Sequence, residues 1–286
     1  MKIDSHQHFW QYNPVTYSWI TDEMSLLKRD FLPEELNLEL GTNDIDASIA
    51  VQADHSEAET LFLLKLAQQY DTIVGVVGWL DITAEELPER LNFFSRFEKL
   101  CGLRHIVQTE PDDQFMLREA FVLGISRLRE FNLSYDILVY PRQLPAAIGL
   151  VNKFPGQRFV VDHIAKPPIK TSKITDWAEN IRRLAQAPNV YCKLSGLVTE
   201  ADWRHWNADQ FRPYLDVVFE AFGPDRLMFG SDWPVCLLAG TYRQVKEVVE
   251  HYVRELTVQQ REAIFGLNAA RFYGLQQSHH GLAACS

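Results

Sequence analysis

The sequence is poor in cysteine and has no long apolar run. Its four cysteines are far apart and have no paired spacing; they are Cys101, Cys192, Cys236 and Cys285. This scatter argues against a disulfide framework or a zinc ribbon and favours reduced thiols that fill small spaces in a core. No apolar stretch is long enough to cross a bilayer, and no basic segment followed by an apolar one begins the chain. We therefore expect a cytoplasmic protein with no membrane partner.

Basic residues and phosphate-binding loops are also scarce. The 38 acidic side chains outnumber the 28 lysines and arginines, which leaves a formal net charge of -10. A chain of this charge lacks the basic surface that binds nucleic acid. Neither a Gly-x-Gly-x-x-Gly turn nor a phosphate loop occurs, so the sequence gives no support for nucleotide binding.

Short apolar segments alternate regularly with amphipathic ones. Hydrophobic residues make up 47% and charged residues 23%, as in a globular protein with a large core. The pattern predicts eight strands, at residues 2–6, 47–52, 73–80, 102–107, 135–140, 158–163, 190–194 and 226–231. Helical patterns lie between them, for example at residues 57–70, 115–131, 177–187 and 211–222. Eight such units predict a (β/α)8 TIM barrel, with a doubly wound parallel sheet as the alternative.

The first predicted strand ends in a His-x-His motif. Side chains at positions i and i+2 of a strand lie on the same face, so His6 and His8 converge. Barrels of this class carry their chemistry at the carboxyl ends of their strands, which is where the pair lies. We therefore predict that the two histidines form part of an active site.

Two later strands end in further titratable groups. In the sixth strand, alternation puts Phe159, Val161 and His163 on one face, and Lys166 follows in the loop. In the eighth strand, alternation aligns Met228 and Gly230 with Asp232, and Trp233 comes next. His6, His8, His163 and Asp232 are thus predicted to meet at one end of the barrel.

Other strand ends supply weaker candidates. Arg104 and His105 are neighbours on the fourth strand, and only one of them can face inward. We expect Arg104 or Lys193 to stabilise an oxyanion. The remaining residues predicted to bind substrate are Trp10, Gln52, Trp79, His105, Tyr140, Lys166, Lys193 and Trp233.

The segment between the first two strands is rich in aromatic residues. Residues 9–46 contain Trp10, Tyr12, Tyr17 and Trp19, a density typical of a lid or pocket wall. Because Trp10 shares the parity of His8, it is the predicted pocket residue, whereas Tyr17 and Trp19 are expected in a small core beneath the segment. The other histidines are expected at the surface or in the tail; they are His55, His205, His251, His279 and His280. Residues 1–275 are predicted to form one domain, and residues 276–286 a tail.

The motifs SHQHFW, GLRH, DHIAKP, KLSGL and GSDWP resemble those of the amidohydrolase superfamily, in particular its branch of sugar lactonases. The resemblance covers residues 2–275. It implies a (β/α)8 barrel that hydrolyses a sugar lactone, such as L-fuconolactone or L-rhamnonolactone, to the aldonic acid. In that reaction Asp232 is expected to act as general base, while His6, His8 and His163 orient the attacking water or its metal.

The chain departs from the two-metal pattern of the superfamily. Strand seven reads VYCKLSG and brings no further histidine, and no lysine is evidently placed for carbamylation. We therefore expect at most one metal ion, a zinc held by His6, His8, His163 and Asp232. A metal-free mechanism is the alternative, because a lactone carbonyl is more electrophilic than an amide.

Other functions are compatible with the same barrel. A metal-dependent decarboxylase or lyase and an amide hydrolase are the enzymatic alternatives, and a non-catalytic binding barrel is the third. The expected partner is a small sugar lactone. A homodimer is compatible with the sequence, which does not determine the oligomeric state.

Overall fold

Eight parallel strands form the centre of the protein in a computed structural model that describes residues 1–275. The strands pair in chain order, from β1 to β8. They are β1 (Ile3–Gln7), β2 (Ala47–Val51), β3 (Ile73–Gly78), β4 (Leu100–His105), β5 (Ser134–Ile137), β6 (Phe159–Val161), β7 (Val190–Leu194) and β8 (Leu227–Phe229). Backbone hydrogen bonds from His8 to Trp233 (2.7 Å) and from Asp232 to His6 (2.8 Å) close β8 onto β1. The predicted (β/α)8 barrel is confirmed.

Helices connect the strands and cover the outside of the barrel. They are α1 (Pro33–Thr42), α2 (Glu57–Gln69), α3 (Leu87–Phe94), α4 (Glu119–Leu128), α5 (Leu144–Lys153), α6 (Thr175–Ala185), α7 (Arg212–Phe222), α8 (Tyr242–Val253), α9 (Val258–Glu262) and α10 (Asn268–Tyr273). Ser56 and Thr241 begin α2 and α8, because each side chain accepts a hydrogen bond from a free amide of the first turn. None of the helices within residues 1–275 combines the length and apolarity needed to span a membrane.

Two apolar layers surround the strands. The larger one lies between strands and helices, and the smaller one fills the lower half of the barrel with Ile3, Val77, Val160 and Met228. Phe272 of α10 belongs to this inner layer, so the last helix closes the amino-terminal end of the barrel. Within residues 1–275, the end of the barrel that stays open is therefore the carboxyl end.

The cysteines that the structure describes are core residues, as predicted. Cys101 belongs to the inner layer, and Cys192 and Cys236 belong to the outer one. Burial raises the pKa of all three thiols, which keeps them protonated. Cys285, His279, His280 and the predicted tail at residues 276–286 lie outside the described residues.

Several strands end earlier than the sequence pattern predicts. The sixth ends at Val161 and the eighth at Phe229, before the histidine and the aspartate that were assigned to them. Both of those residues have left-handed backbone, with φ of 52° at His163 and 60° at Asp232. The chemistry-bearing side chains thus lie on sharp turns just past the strands.

The predicted parity of the sixth strand is wrong. Phe159 and Val161 pack in the outer layer, whereas Val160 faces the barrel interior. His163 still reaches the mouth, because the left-handed turn reverses the direction that strand alternation would give it. In the eighth strand the prediction is correct for Met228, which faces inward.

Candidate active site

The two histidines of the first strand converge at the open end of the barrel. His6 and His8 are buried, and their Nε2 atoms lie 3.2 Å apart. The Nδ1 atom of His8 lies 2.7 Å from the carbonyl oxygen of Val51. A carbonyl oxygen only accepts hydrogen bonds, so Nδ1 of His8 carries the hydrogen and Nε2 keeps its lone pair. The structure brings the two rings together as predicted.

Gly230, which lies just past the end of β8, leaves room for the His6 side chain. A Cβ atom at Gly230 would lie 2.7 Å from the Cβ of His6 and 3.3 Å from that of Ser195. Such contacts are shorter than packed carbon atoms tolerate. Gly230 therefore lets the ends of β1, β7 and β8 approach one another closely. This agrees with its predicted alignment with Asp232.

His163 joins the pair from the turn after β6. Its Nδ1 lies 2.9 Å from the hydroxyl oxygen of Ser195, and its ring centre lies 4.4 Å from that of His6. Gly196, which has a φ of 65°, allows this approach, because a Cβ there would lie 2.7 Å from Nδ1 of His163. The Nε2 edge of the ring is thus turned toward the other histidines.

Asp232 completes the cluster from the turn after β8. Its Oδ1 atom lies 3.4 Å from Nε2 of His8 and 3.9 Å from Nε2 of both His6 and His163. One carboxylate oxygen therefore faces three imidazoles at similar distances. The four residues that were predicted to meet at the mouth do so.

Burial controls the protonation of this cluster. Removal from water disfavours the charged form of an imidazole, and burial holds the pKa of His6, His8 and His163 below the ordinary value. Burial opposes ionisation of Asp232 as well, but the adjacent His163 and His8 outweigh it and hold the pKa of Asp232 below its ordinary value. At neutral pH the cluster is one carboxylate beside three neutral imidazoles.

The same cluster can hold one divalent metal ion. Ligand atoms on a small tetrahedral ion with bonds of about 2.0–2.1 Å lie roughly 3.3 Å from one another. The Nε2 of His8 lies 3.2 Å from that of His6 and 3.4 Å from Oδ1 of Asp232, which fits this spacing. The Nδ1 bonds of His8 and His163 are the kind that orient metal-binding imidazoles. The residues present therefore fit a metal, with His6, His8 and Asp232 as the closest set of donors.

A layer of buried charges lies directly below the cluster. The ammonium nitrogen of Lys193 is 2.6 Å from Oδ2 of Asp136 and 3.0 Å from Oδ1 of Asp162. The Nη1 atom of Arg104 is 2.9 Å from Oδ2 of Asp162, so two cations and two carboxylates balance in this layer. Burial opposes ionisation of Asp162, but Lys193 and His6 hold the pKa of this carboxyl well below its ordinary value.

The charged layer supports His6 from below. Nδ1 of His6 lies 3.1 Å from Nζ of Lys193 and 3.4 Å from Oδ1 of Asp162. Nη1 of Arg104 lies 3.3 Å from the other ring nitrogen, Nε2, and can only donate to it. Lys193 at Nδ1 and Arg104 at Nε2 can each only donate, and Asp162 can accept from Nδ1, so both ring nitrogens of His6 have a charged neighbour and Nε2 faces the cluster.

Sequence reasoning missed the carboxylates of this layer. Asp136 lies two residues after Ser134 in the buried strand β5, and Asp162 lies two residues after the inward-facing Val160, just past the end of β6. Acidic side chains on the inner face of buried strands were the available signal, because a buried carboxylate requires a partner. The open choice at β4 is resolved in favour of Arg104, which is buried and faces the interior.

A cavity of about 610 Å³ opens above the cluster. His8, Arg104, His163 and Asp232 lie at its base, and loops after several strands form its wall. The wall residues are Thr16, Ser18, Trp19, Met24, Ala53, Asp54, His55, Ile106, Gln108, Thr109, Leu138, Tyr140, Lys166, Thr199, Glu200, Trp203, Val235 and Leu238. Four of them belong to the segment at residues 9–46, which thus contributes to the wall.

Two predicted substrate-binding residues line the cavity. Lys166 lies 3.5 Å from Oε1 of Glu200, and its ammonium group is 5.8 Å from the centre of the Tyr140 ring. Both cations that face the cavity, Lys166 and Arg104, are therefore paired with carboxylates.

Trp10 and Trp233 do not line the cavity, contrary to prediction. Both pack against Phe31, with ring centres 5.3 Å away, in an aromatic cluster below the 9–46 segment. Trp19, which was expected in this small core, lines the cavity instead and donates from Nε1 to the carbonyl of Ala53 at 3.1 Å. Strand parity does not extend to Trp10, because β1 ends at Gln7.

The other predicted substrate-binding side chains lie behind the cavity surface. Gln52 is buried and donates to the carbonyl of Arg104 at 3.0 Å, and Lys193 belongs to the charged layer. Trp79 and His105 stack beside His55. The expectation that His55 is a surface residue is wrong, because it lines the cavity next to these two rings. His205 and His251 are exposed, as predicted.

The chain belongs to the amidohydrolase family, whose model, described as Amidohydrolase, matches residues 3–275. The family resemblance predicted from the motifs is thereby confirmed.

Similar proteins of this family come from Burkholderia. The chain is 43% identical to an L-fucono-1,5-lactonase of Burkholderia multivorans over 97% of each chain. It is 34% identical to an L-fucono-1,5-lactonase of Burkholderia ambifaria over 96% of each. The crystal structure of an amidohydrolase from Burkholderia multivorans with bound zinc superposes with a TM-score of 0.93 at 43% identity, covering 96% of this chain and all of the other.

Replacing Lys193 by Met is expected to destabilise the fold by about 3–5 kcal/mol, because two buried carboxylates lose their shared cation. Urea unfolding followed by circular dichroism measures the loss. Arg182, which pairs with Glu220 on the surface, gives the matched control: Arg182→Met should cost about 1 kcal/mol or less. Equal losses from the two substitutions would contradict the role of the charged layer.

Proposed function

We propose that the protein hydrolyses a sugar 1,5-lactone, of the L-fuconolactone kind, to the corresponding aldonic acid. One observation carries the proposal: the carboxylate of Asp232 faces three imidazoles at the base of a cavity large enough for a monosaccharide. The 43% identity to a fuconolactonase over nearly the whole length supports this choice of substrate class.

In this reaction Asp232 is the general base. It accepts a proton from a water molecule while the water oxygen bonds to the carbonyl carbon of the lactone. His8 and His163, whose Nε2 atoms lie 3.4 and 3.9 Å from Oδ1 of Asp232, position that water. The developing oxyanion is stabilised by Arg104, which reaches the base of the cavity.

Ring opening completes the reaction. The tetrahedral intermediate collapses, the bond between the carbonyl carbon and the ring oxygen breaks, and the ring oxygen takes the proton from Asp232. The carboxyl group of the product then ionises in water. Tyr140 and Lys166 lie on the wall, where they bind hydroxyl groups of the sugar.

The metal proposed for this site is a single zinc ion held by His6, His8, His163 and Asp232. When bound, zinc supplies a Lewis acid and lowers the pKa of a bound water. Three imidazole nitrogens and one carboxylate oxygen are a donor set that suits it. A zinc-bound structure of a 43% identical protein supports this identity.

The charges of the cavity disfavour the decarboxylase alternative. A carboxylic acid substrate requires cations that are free to bind it. Arg104 is paired with Asp162, and Lys166 with Glu200, so both side-chain cations that residues 1–275 place at the cavity already have anionic partners. A neutral lactone fits this charge pattern better.

The substitution Asp232→Asn is expected to lower kcat/KM for L-fucono-1,5-lactone by a factor of about 10³ or more, because an amide cannot accept the proton. A pH-indicator assay of acid release measures it, and circular dichroism checks that the fold is kept. Asp176→Asn, a change at an exposed position of α6, is the control and should leave the rate unchanged. Parent-like turnover by Asp232→Asn would rule out this base.

The pH dependence of the reaction follows from the lowered pKa values of Asp232 and of the three histidines. The pKa of Asp232 is held below its ordinary value, so the base stays ionised as the pH falls, and the low pKa values of the histidines keep them neutral. For chelator-treated, metal-free protein we expect kcat/KM to change by less than about twofold between pH 8 and 5 and to fall only as the lowered pKa of Asp232 is approached, below about pH 4. A loss of activity centred near pH 6–7 would mean that a histidine titrates and would contradict this assignment.

Zinc binding can be tested without turnover. Isothermal titration of chelator-treated protein with Zn²⁺ should give about one site per chain, and His8→Ala should lower the affinity by a factor of about 10 or more. His205→Ala, at an exposed position, should bind like the parent. Absence of binding by the parent, or equal binding by His8→Ala, would overturn the proposed zinc site.

A further inference from the structure

His55 lies four residues beyond β2, on the wall of the cavity. Its ring is nearly parallel to two neighbouring rings: the ring centre is 4.4 Å from that of His105, at an interplanar angle of 21°. It is 5.8 Å from that of Trp79, at 24°. The two neighbours fix the plane of the imidazole.

The hydrogen-bond partner of the ring fixes its tautomer. The backbone amide of Ile106 donates to Nε2 of His55 at 2.9 Å. An accepting nitrogen carries no hydrogen, so the neutral ring has its hydrogen on Nδ1. Burial, reinforced by His105 and Arg104, lowers the pKa of His55 to about 4, which keeps the ring neutral at physiological pH.

The rings around His55 have their own polar atoms paired. Nε2 of His105 lies 2.7 Å from Oε1 of Glu110, and Nδ1 of His105 accepts from Nε1 of Trp79 at 3.4 Å. His105 also stacks on Phe115 at 5.0 Å. Among residues 1–275, no group bonds to Nδ1 of His55, and this nitrogen is not sealed from the cavity.

The backbone that leads to His55 is held as well. The amides of Ala53 and Asp54 donate to Oε2 of the buried Glu59, at 3.0 and 2.7 Å. Trp19 bonds to the carbonyl of Ala53 from the other side. A ring fixed by stacking and a loop fixed by hydrogen bonds together present a pre-organised N–H group.

We propose that His55 is a specificity-determining residue, whose Nδ1–H donates a hydrogen bond to a ring hydroxyl oxygen of the substrate. The inference rests on the proposed lactone hydrolysis and names a further contact to that substrate. Within residues 1–275, no hydrogen bond or ring contact joins His55 to His6, His8, His163 or Asp232. The group that it meets is therefore a hydroxyl, and the reacting carbonyl lies at Asp232.

Three substitutions distinguish the contribution of the Nδ1–H donor of His55 from that of its stacked ring. His55→Phe keeps an aromatic ring in the stack and removes both nitrogens. His55→Asn places an amide near the position of Nδ1 and retains a donor there. His55→Gln can reach the amide of Ile106 but has no donor at the Nδ1 position. His205→Asn, at an exposed histidine, is the control.

Two lactones then show what His55 contacts. L-Fucono-1,5-lactone carries hydroxyl groups, whereas δ-valerolactone has the same ring size without them. We expect His55→Phe and His55→Gln to lower kcat/KM for the sugar lactone by a factor of about 10–100, chiefly through KM, and His55→Asn to lose less. For δ-valerolactone all three should stay within about twofold of the parent.

Other outcomes would overturn the proposal. Equal losses on both lactones would mean that His55 supports the fold or the carbonyl site, and parent-like kinetics of His55→Phe on the sugar would mean that it makes no contact. Failure of the parent to hydrolyse either lactone would be a failure of the proposed reaction instead.

Binding is then followed directly in Asp232→Asn protein by the ¹⁵N–¹H signal of the His55 imidazole. A shift of the Nδ1–H signal on addition of sugar lactone supports the contact, and an unchanged signal refutes it.

Discussion

The ion pairs of Lys193 with Asp136 and Asp162 are the interaction on which the site depends. Charges inside a barrel are tolerated only when they balance, and here two carboxylates meet two cations, the second being Arg104. The layer is tied downward by Tyr273 of α10, which donates to Asp136 at 2.7 Å, and upward to His6. The position of the cluster formed by His6, His8, His163 and Asp232 is thus set by the charged layer, which rests on the apolar layer inside the barrel.

The orientations of the three histidine rings follow from groups outside the cluster. His6 faces Asp162 with Nδ1, His8 donates from Nδ1 to a backbone carbonyl, and His163 meets the hydroxyl of Ser195. In each case the Nε2 edge is left for the centre of the site. The same arrangement serves water and a metal ion, since both require lone pairs aimed at one point beside a carboxylate.

Sequence periodicity predicted the barrel and the four residues at its mouth, because strands and helices alternate in any sequence that forms this fold. It failed where the backbone stops being extended. The left-handed turn at His163 directs this side chain to the mouth although strand alternation in β6 would not. Beyond Gln7 the chain is no longer a strand, so alternation could not show that Trp19 lines the cavity and that Trp10 does not. His55 was missed for the same reason: its place beside the rings of Trp79 and His105 depends on the packing of three segments that are far apart in the chain.

The charges around the cavity also explain how the product can leave. On the proposed reaction a neutral lactone enters and an anionic acid forms beside Asp232, which is ionised. Within residues 1–275, the side-chain cations of the cavity do not offset this new charge, because Arg104 is neutralised by Asp162 and Lys166 by Glu200. Like charges in a poorly solvated site repel each other by roughly several kcal/mol. In the site without a metal ion, the paired cations therefore leave the anionic product held more weakly than the uncharged substrate.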